Sequence, residues 1–328
     1  MAEAARPGDG FAIGNDEQYR PVKAVGDLRV PVSGPEGTAL LACYASGPLG
    51  GPRRRPVVVA VHGALRDSDR YLASARHAAR LASSDALIVA PQFLADVDRA
   101  NGDWAGGALY WQVEGWKGGY PALGPSPLSS FGVMDSLLER LAPEPRPDPA
   151  VVVFGNSAGG QFVNRYAAVG RGPDVLAARG LRVRFVVANP STYLYFGRER
   201  PVAVPDAAHV NDWRYGFDHV PGYVDSGPRR SLERYLGRDV TIVLGELDND
   251  GASPLLEVSP AAMTQGANRL DRGLRYDQHV RGLAHAAGLP FRHRLIRLTG
   301  VGHTAADVLA APQTREIVFA RSRGQPRA

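Results

Sequence analysis

The stretch that decides the fold is Val151-Val152-Val153-Phe154-Gly155-Asn156-Ser157-Ala158-Gly159-Gly160. An apolar run without polar alternation is what a strand covered on both faces requires. A helical pattern follows at Gly159–Val169. Between them lies Gly-x-Ser-x-Gly. A sharp turn from strand to helix crowds its two arms, and glycines at 155 and 159 remove the side chains that would collide. Ser157 then stands at the apex, above the sheet edge. The N-terminus of the following helix favours negative charge there. Gly-Asn-Ser alone is also compatible with an ordinary turn; its flanks single it out.

Outward from this turn, short apolar runs alternate with helical patterns. The runs are Val57–Val61, Ala86–Ala90, Val151–Phe154, Arg184–Ala188, Val240–Leu244 and Arg294–Leu298. The helical stretches are Arg70–Ala82, Ser130–Leu141, Gly159–Val169, Ala262–Ala287 and Ala305–Arg321. Such alternation predicts a mostly parallel sheet with helices on its faces. Asp27–Val32 and Thr38–Ala45 read as a leading antiparallel pair, turned at Ser33-Gly34-Pro35-Glu36-Gly37. Two intervals break the rhythm, Leu94 to Ser129 and Pro190 to Gly237. Both are rich in aromatics, among them Trp104, Trp111, Tyr193 and Trp213. Long loops of this kind border binding sites, or their aromatics simply fill loop cores.

Two further loops carry chemistry-bearing residues. Thr241–Leu244 is followed by Gly245-Glu246-Leu247-Asp248-Asn249-Asp250. The last apolar run is followed by Thr299-Gly300-Val301-Gly302-His303-Thr304. Of the eight histidines, only His303 lies between the final strand and the final helix. His279, His285 and His293 fall in helical or strand-edge positions, and His209 and His219 lie in the second aromatic interval as candidates for substrate contact. The order Ser157, Asp248, His303 is one of three known chain orders of a serine triad, distinct from the other two.

At these residues the chain resembles the α/β-hydrolase superfamily, and within it esterases, lipases and dienelactone-hydrolase-like members. The resemblance covers roughly residues 22 to 320. It rests on His62-Gly63, Gly155-Asn156-Ser157-Ala158-Gly159, Gly245-Glu246-Leu247-Asp248 and Gly302-His303. It implies an α/β fold with an eight-stranded, mostly parallel sheet, and hydrolysis through an acyl-enzyme without a cofactor or metal. Ser157 is then the nucleophile and His303 the base. Asp248 is the acid, with Asp250 and Glu246 as alternatives; Asp-Asn-Asp-Gly is also a turn former. The oxyanion donors are the N–H groups of Ala158 and Ala64, with Leu65 second to Ala64 and a candidate for substrate contact. His62 is a structural residue of that loop. The His-Gly segment lacks the further glycines of the His-Gly-Gly-Gly lipases, so the oxyanion loop departs from that class.

Residues 1–21 read as an N-terminal extension, 22–322 as the α/β domain with an aromatic-rich, cap-like insertion at 190–237, and 323–328 as a tail. Of the 328 residues, 44% are hydrophobic and 22% charged, which excludes wholesale disorder. The net charge is +5 and no long basic stretch interleaves with aromatics, which disfavours nucleic acid as a partner. Arg53-Arg54-Arg55 reads as a solvated loop, or as a phosphate contact. Cys43 is the only cysteine, so no intrachain disulfide forms. No segment has the pattern of a signal peptide or a membrane span, and the expectation is a cytoplasmic protein. The expected substrate is a small carboxylic ester, apolar or aromatic, contacted by Leu65, Trp104, Trp111, Tyr193 and Trp213. Amide or peptide hydrolysis, acyl transfer and non-catalytic ligand binding are the other readings.

Overall fold

The computed structural model describes residues 16–50, 55–101, 107–142, 149–205 and 207–319. The hairpin β1 (Leu28–Gly34) and β2 (Gly37–Ala45) comes first, then β3 (Val57–Val61), α1 (Ser68–Leu81) and β4 (Leu87–Gln92). Short strands β5 (Leu94–Ala95) and β6 (Tyr110–Trp111) pair with each other outside the main sheet. The chain continues through α2 (Ser130–Leu141), β7 (Pro149–Asn156), α3 (Ala158–Val169), α4 (Gly172–Ala178) and β8 (Arg182–Ala188). It ends with α5 (Pro228–Leu236), β9 (Asp239–Gly245), α6 (Pro260–Met263), α7 (Arg269–Ala286), β10 (Arg294–Leu298), α8 (Ala305–Ala310) and α9 (Pro312–Phe319).

Eight strands form one sheet in the order β1-β2-β4-β3-β7-β8-β9-β10. Only the β1/β2 and β2/β4 pairings are antiparallel. The central strands are unbroken apolar runs because both faces are covered. Val57, Val59, Val61, Val151 and Val153 join a core with α2, α3 and α7. Val58, Ala60, Val152 and Phe154 point the other way and pack with residues of α1, α8 and α9. Each buried valine contributes about 1.5–3 kcal/mol by leaving water.

Two expected helices are each divided. The stretch 262–287 breaks between α6 and α7, where Gly266 takes φ +144° and Asn268 caps α7, its side chain accepting from Asp271 N at 2.9 Å. The stretch 305–321 breaks at Pro312, which starts α9. Helices α4 and α5 and strands β5 and β6 have no counterpart in the sequence reading. The aromatics of the 190–237 insertion turn inward: Tyr193, Tyr195, Phe196, Trp213, Tyr223 and Tyr235 all belong to the main core. The insertion is therefore a packed wall of the body. No helix among the described residues is long and apolar enough to cross a membrane.

Candidate active site

Strand β3 has β4 on one side and β7 on the other, so the sheet changes its direction of growth between β3 and β7. Loops leaving the carboxyl ends of such a strand pair diverge and open a crevice. Ser157 leaves β7 at that point, with φ +60° and ψ −122°, a conformation few non-glycine residues adopt. Its N–H donates to Ala188 O at 3.0 Å, and its carbonyl accepts from Gln161 N at 3.0 Å. A Cβ on Gly159 would run into the carbonyl oxygens of Val61 and His62, and one on Gly155 into that of Gly159. These are backbone against backbone, where nothing can yield. The glycines thus let α3 start tight against the end of β3.

Asp248 is buried just past β9, and His303 is partly exposed just past β10. His303 Nδ1 lies 2.6 Å from Asp248 Oδ2. Their loops are joined through the main chain, with Glu246 N donating to Leu298 O and Leu247 N to Val301 O. Asp250 is exposed and accepts from Ala252 N at 2.8 Å, while Glu246 pairs with Arg297 at 2.7 Å. Of the three carboxylates, only Asp248 meets the imidazole. The ring makes no hydrogen bond to the Ser157 hydroxyl, a bond often loose before substrate binds. The two are tied indirectly: Asn156 Nδ2 donates to His303 O at 2.9 Å. Asn189 Nδ2 donates to Asn156 Oδ1 at 3.3 Å, and Asn189 Oδ1 accepts from Gly245 N at 2.9 Å. The fully buried Arg269 donates to Asp248 Oδ1 at 3.2 Å. Nothing in the sequence pattern marks Asn189 or Arg269; Asn156 is the variable residue of the serine turn.

After β3, Gly63 to Arg66 form a turn closed by Arg66 N donating to Gly63 O at 3.2 Å. Ala64 and Ala158 both border the recess at Ser157. As the first residue of its helix, Ala158 has an N–H without an intrahelical acceptor. The turn is pinned from beneath. Arg66, at φ +57°, makes a bidentate ion pair with Asp98, at 2.8 Å to Oδ2 and 3.0 Å to Oδ1. It also donates to Ala64 O, Gln18 O and Arg20 O. Residues 16–21, the described part of the expected extension, are thereby drawn onto the crevice. His62 is fully buried; its Nε2 accepts from Phe93 N at 3.0 Å, so Nδ1 carries the hydrogen that Gly63 O accepts at 2.8 Å. Burial lowers this imidazole to about 3, which leaves it neutral and structural.

The expected aromatic lining is corrected by the structure. Trp111 is fully buried against Phe93, its Nε1 donating to Tyr120 O at 3.1 Å. Trp213 is buried with Nε1 on Gly118 O at 2.6 Å, and Tyr193 stacks on Tyr276 in the core. Large aromatic rings gain most by complete burial. Leu65 borders a different surface depression, with Glu17, Arg20 and Arg70. Trp104, like Arg53 and Arg54, lies outside the described residues. His209 and His219 are exposed and pair with Asp212 at 2.7 and 3.2 Å. What borders the recess with Ser157 is mostly polar: Gln18, Lys117, Gln161, Ser191 and Glu257, with Leu255. Sequence reading missed all six, because none carries a local motif.

Lys117 belongs to a buried charge cluster. Its ammonium lies 2.7 Å from Glu114 Oε2, which Arg214 also reaches at 2.8 Å. Burial alone would raise the Glu114 carboxyl, but Lys117 and Arg214 hold it at about 2.

No protein-family model matches the sequence, and no curated protein matches it. Among solved structures the chain is similar to a poly(3-hydroxybutyrate) depolymerase from Bordetella parapertussis, with 26% identity, 87% of each chain covered and a TM-score of 0.61. It is similar in fold to poly(aspartic acid) hydrolase-1 from Sphingomonas sp. KT-1, with 21% identity, 92% of this chain and 100% of that one covered, and a TM-score of 0.59. From the sheet order, the strained serine turn at its switch point and these likenesses, the chain has the α/β-hydrolase fold.

Proposed function

We propose that the protein is a serine hydrolase that cleaves carboxylic esters through an acyl-enzyme. One observation carries the reading. A buried carboxylate and a partly exposed imidazole, 2.6 Å apart, stand at the same sheet edge as a serine in a strained strand-to-helix turn. In the first half-reaction Ser157 Oγ attacks the ester carbonyl and His303 Nε2 takes the hydroxyl proton. Asp248 holds the imidazole with Nδ1 protonated and stabilises the imidazolium. The N–H groups of Ala64 and Ala158 receive the oxyanion, each donor being worth roughly 3–4 kcal/mol in the transition state. Collapse expels the alcohol, which takes its proton from His303. Water then attacks the acyl-serine as His303 removes a proton, and the acid and free Ser157 are restored. The polyester named for the Bordetella relative supports an ester over an amide.

The test is Ser157→Ala assayed on 4-nitrophenyl acetate. Loss of a seryl nucleophile predicts a fall in kcat of at least about 10³-fold, with unchanged circular dichroism. Retention of more than a tenth of the activity would assign the chemistry to another group.

A further inference from the structure

The recess beside Ser157 has the wrong chemistry for a wholly uncharged, apolar substrate. Lys117 and Gln18 border it, both nearly buried, at 5% and 2% exposure. Among the described residues, the one carboxylate in ion-pair contact with Lys117, that of Glu114, is shared with Arg214. Behind it, Arg165 is fully buried and donates to Arg214 O, Lys117 O, Gln161 Oε1 and Thr192 Oγ1, all uncharged acceptors. No carboxylate among the described residues is in hydrogen-bond contact with Arg165, and Glu257 and Glu114 offset part of its charge from farther away. Burial first, and the neighbouring Arg214 second, lower Arg165 to about 9. Glu257, the carboxylate on the recess wall, accepts from the Tyr215 hydroxyl and lies in the field of Arg165, Arg214 and Arg272. Gln18 Nε2 is buried and has no hydrogen-bond acceptor among the described residues. Interior amide N–H groups are almost always bonded, so an open one beside a nucleophile points to a ligand oxygen.

We infer that this recess is a subsite for a carboxylate carried by the substrate, so that the enzyme prefers esters bearing a second, free acid group. The inference rests on the reading of Ser157 as nucleophile. The Lys117 ammonium and the Gln18 amide are the donors that receive the carboxylate, and the anion adds to the partial offset that Glu257 and Glu114 give to Arg165. A neutral acyl or alcohol chain of the same length satisfies neither group.

Two matched pairs of esters test this, since the acid can sit on either side of the scissile bond. One pair is 4-nitrophenyl hemiglutarate and 4-nitrophenyl valerate; the other is 3-acetoxypropanoate and 3-acetoxypropanamide. The expected result is a kcat/KM at least tenfold higher for the anion in one pair, arising mainly through KM. Lys117→Gln is expected to bring that ratio within threefold of one. Gln18→Leu narrows it to a lesser degree and takes over the test where Lys117→Gln does not fold. A ratio below tenfold in both pairs, or one that the folded variant leaves unchanged, overturns the proposal. If no ester is turned over, the nucleophile reading has failed, and calorimetry decides the subsite on its own. Monomethyl glutarate binding at least tenfold more tightly than methyl valerate retains the subsite, and equal binding removes it.

Discussion

Asp248 and Asp250 are two residues apart, yet their surroundings give them different work. Asp248 is buried between His303 and Arg269, one carboxylate oxygen to each. Asp250 faces solvent and closes a turn at Ala252. Asp248→Asn replaces one acceptor oxygen by a donor and disfavours the Nδ1-protonated tautomer that the proposed reaction needs. Such a change lowers kcat by roughly 10⁴-fold in a serine triad. Asp250→Asn leaves the turn able to form and is expected to change kcat by less than threefold. Steady-state kinetics of the two variants on one ester make the comparison, and the reverse ranking would hand the role of acid to Asp250.

The turn after β3 shows how an element is held in place for chemistry. Ala64 can donate to an oxyanion only if its turn stays put, and Arg66 fastens it to Asp98 and to the backbone at Gln18 and Arg20. Arg66→Met removes one partner of a fully buried ion pair, which typically costs about 3–5 kcal/mol. Urea unfolding measures this; a loss under about 1 kcal/mol would mean the pair carries little of the turn. At this scale the sequence was legible where a period or a punctuation mark is local. The valines of β3 and β7 and the glycines at 155 and 159 announce strand, turn and helix by themselves. The division of α6 from α7 was readable in principle from Gly266 and Asn268, but the apolar residues on either side kept a helical rhythm. The pin at Arg66 was not readable, since Asp98 is 32 residues away and joins it only in the fold.

The whole molecule brings together residues that sequence spacing cannot rank. Ser157, Asp248 and His303 were each visible as polar residues in glycine-containing loops after apolar runs. Asn156 reaches His303 across 147 residues, and Gln18, Lys117 and Glu257 arrive at the recess from three separate parts of the chain. The aromatics expected on the recess wall went instead to the core, where the Trp111 and Trp213 N–H groups find carbonyls inside. Folding of the entire domain is also what keeps His62 neutral. Its folded pKa, about 3, lies below the ordinary 6.5 because of burial. As pH falls below about 6.5 the unfolded chain takes up this proton while the native protein does not. Stability contributed by His62 is therefore complete above that pH and is lost progressively between 6.5 and 3. One such group adds up to about 1.4 kcal/mol per pH unit to the slope. Urea midpoints at pH 6 and pH 5 are expected to differ less in His62→Gln than in the wild type; equal slopes would show that His62 titrates freely.

In the proposed mechanism the hydroxyl at the tip of the strained turn is the group that becomes acylated. Reaction of the intact protein with a neutral fluorophosphonate, followed by peptide mass spectrometry, measures it most directly. A single stoichiometric adduct on Ser157 is expected, formed far more slowly once Asp248 is replaced by Asn. An adduct on another residue, or none under conditions that label an ordinary serine esterase, would contradict it.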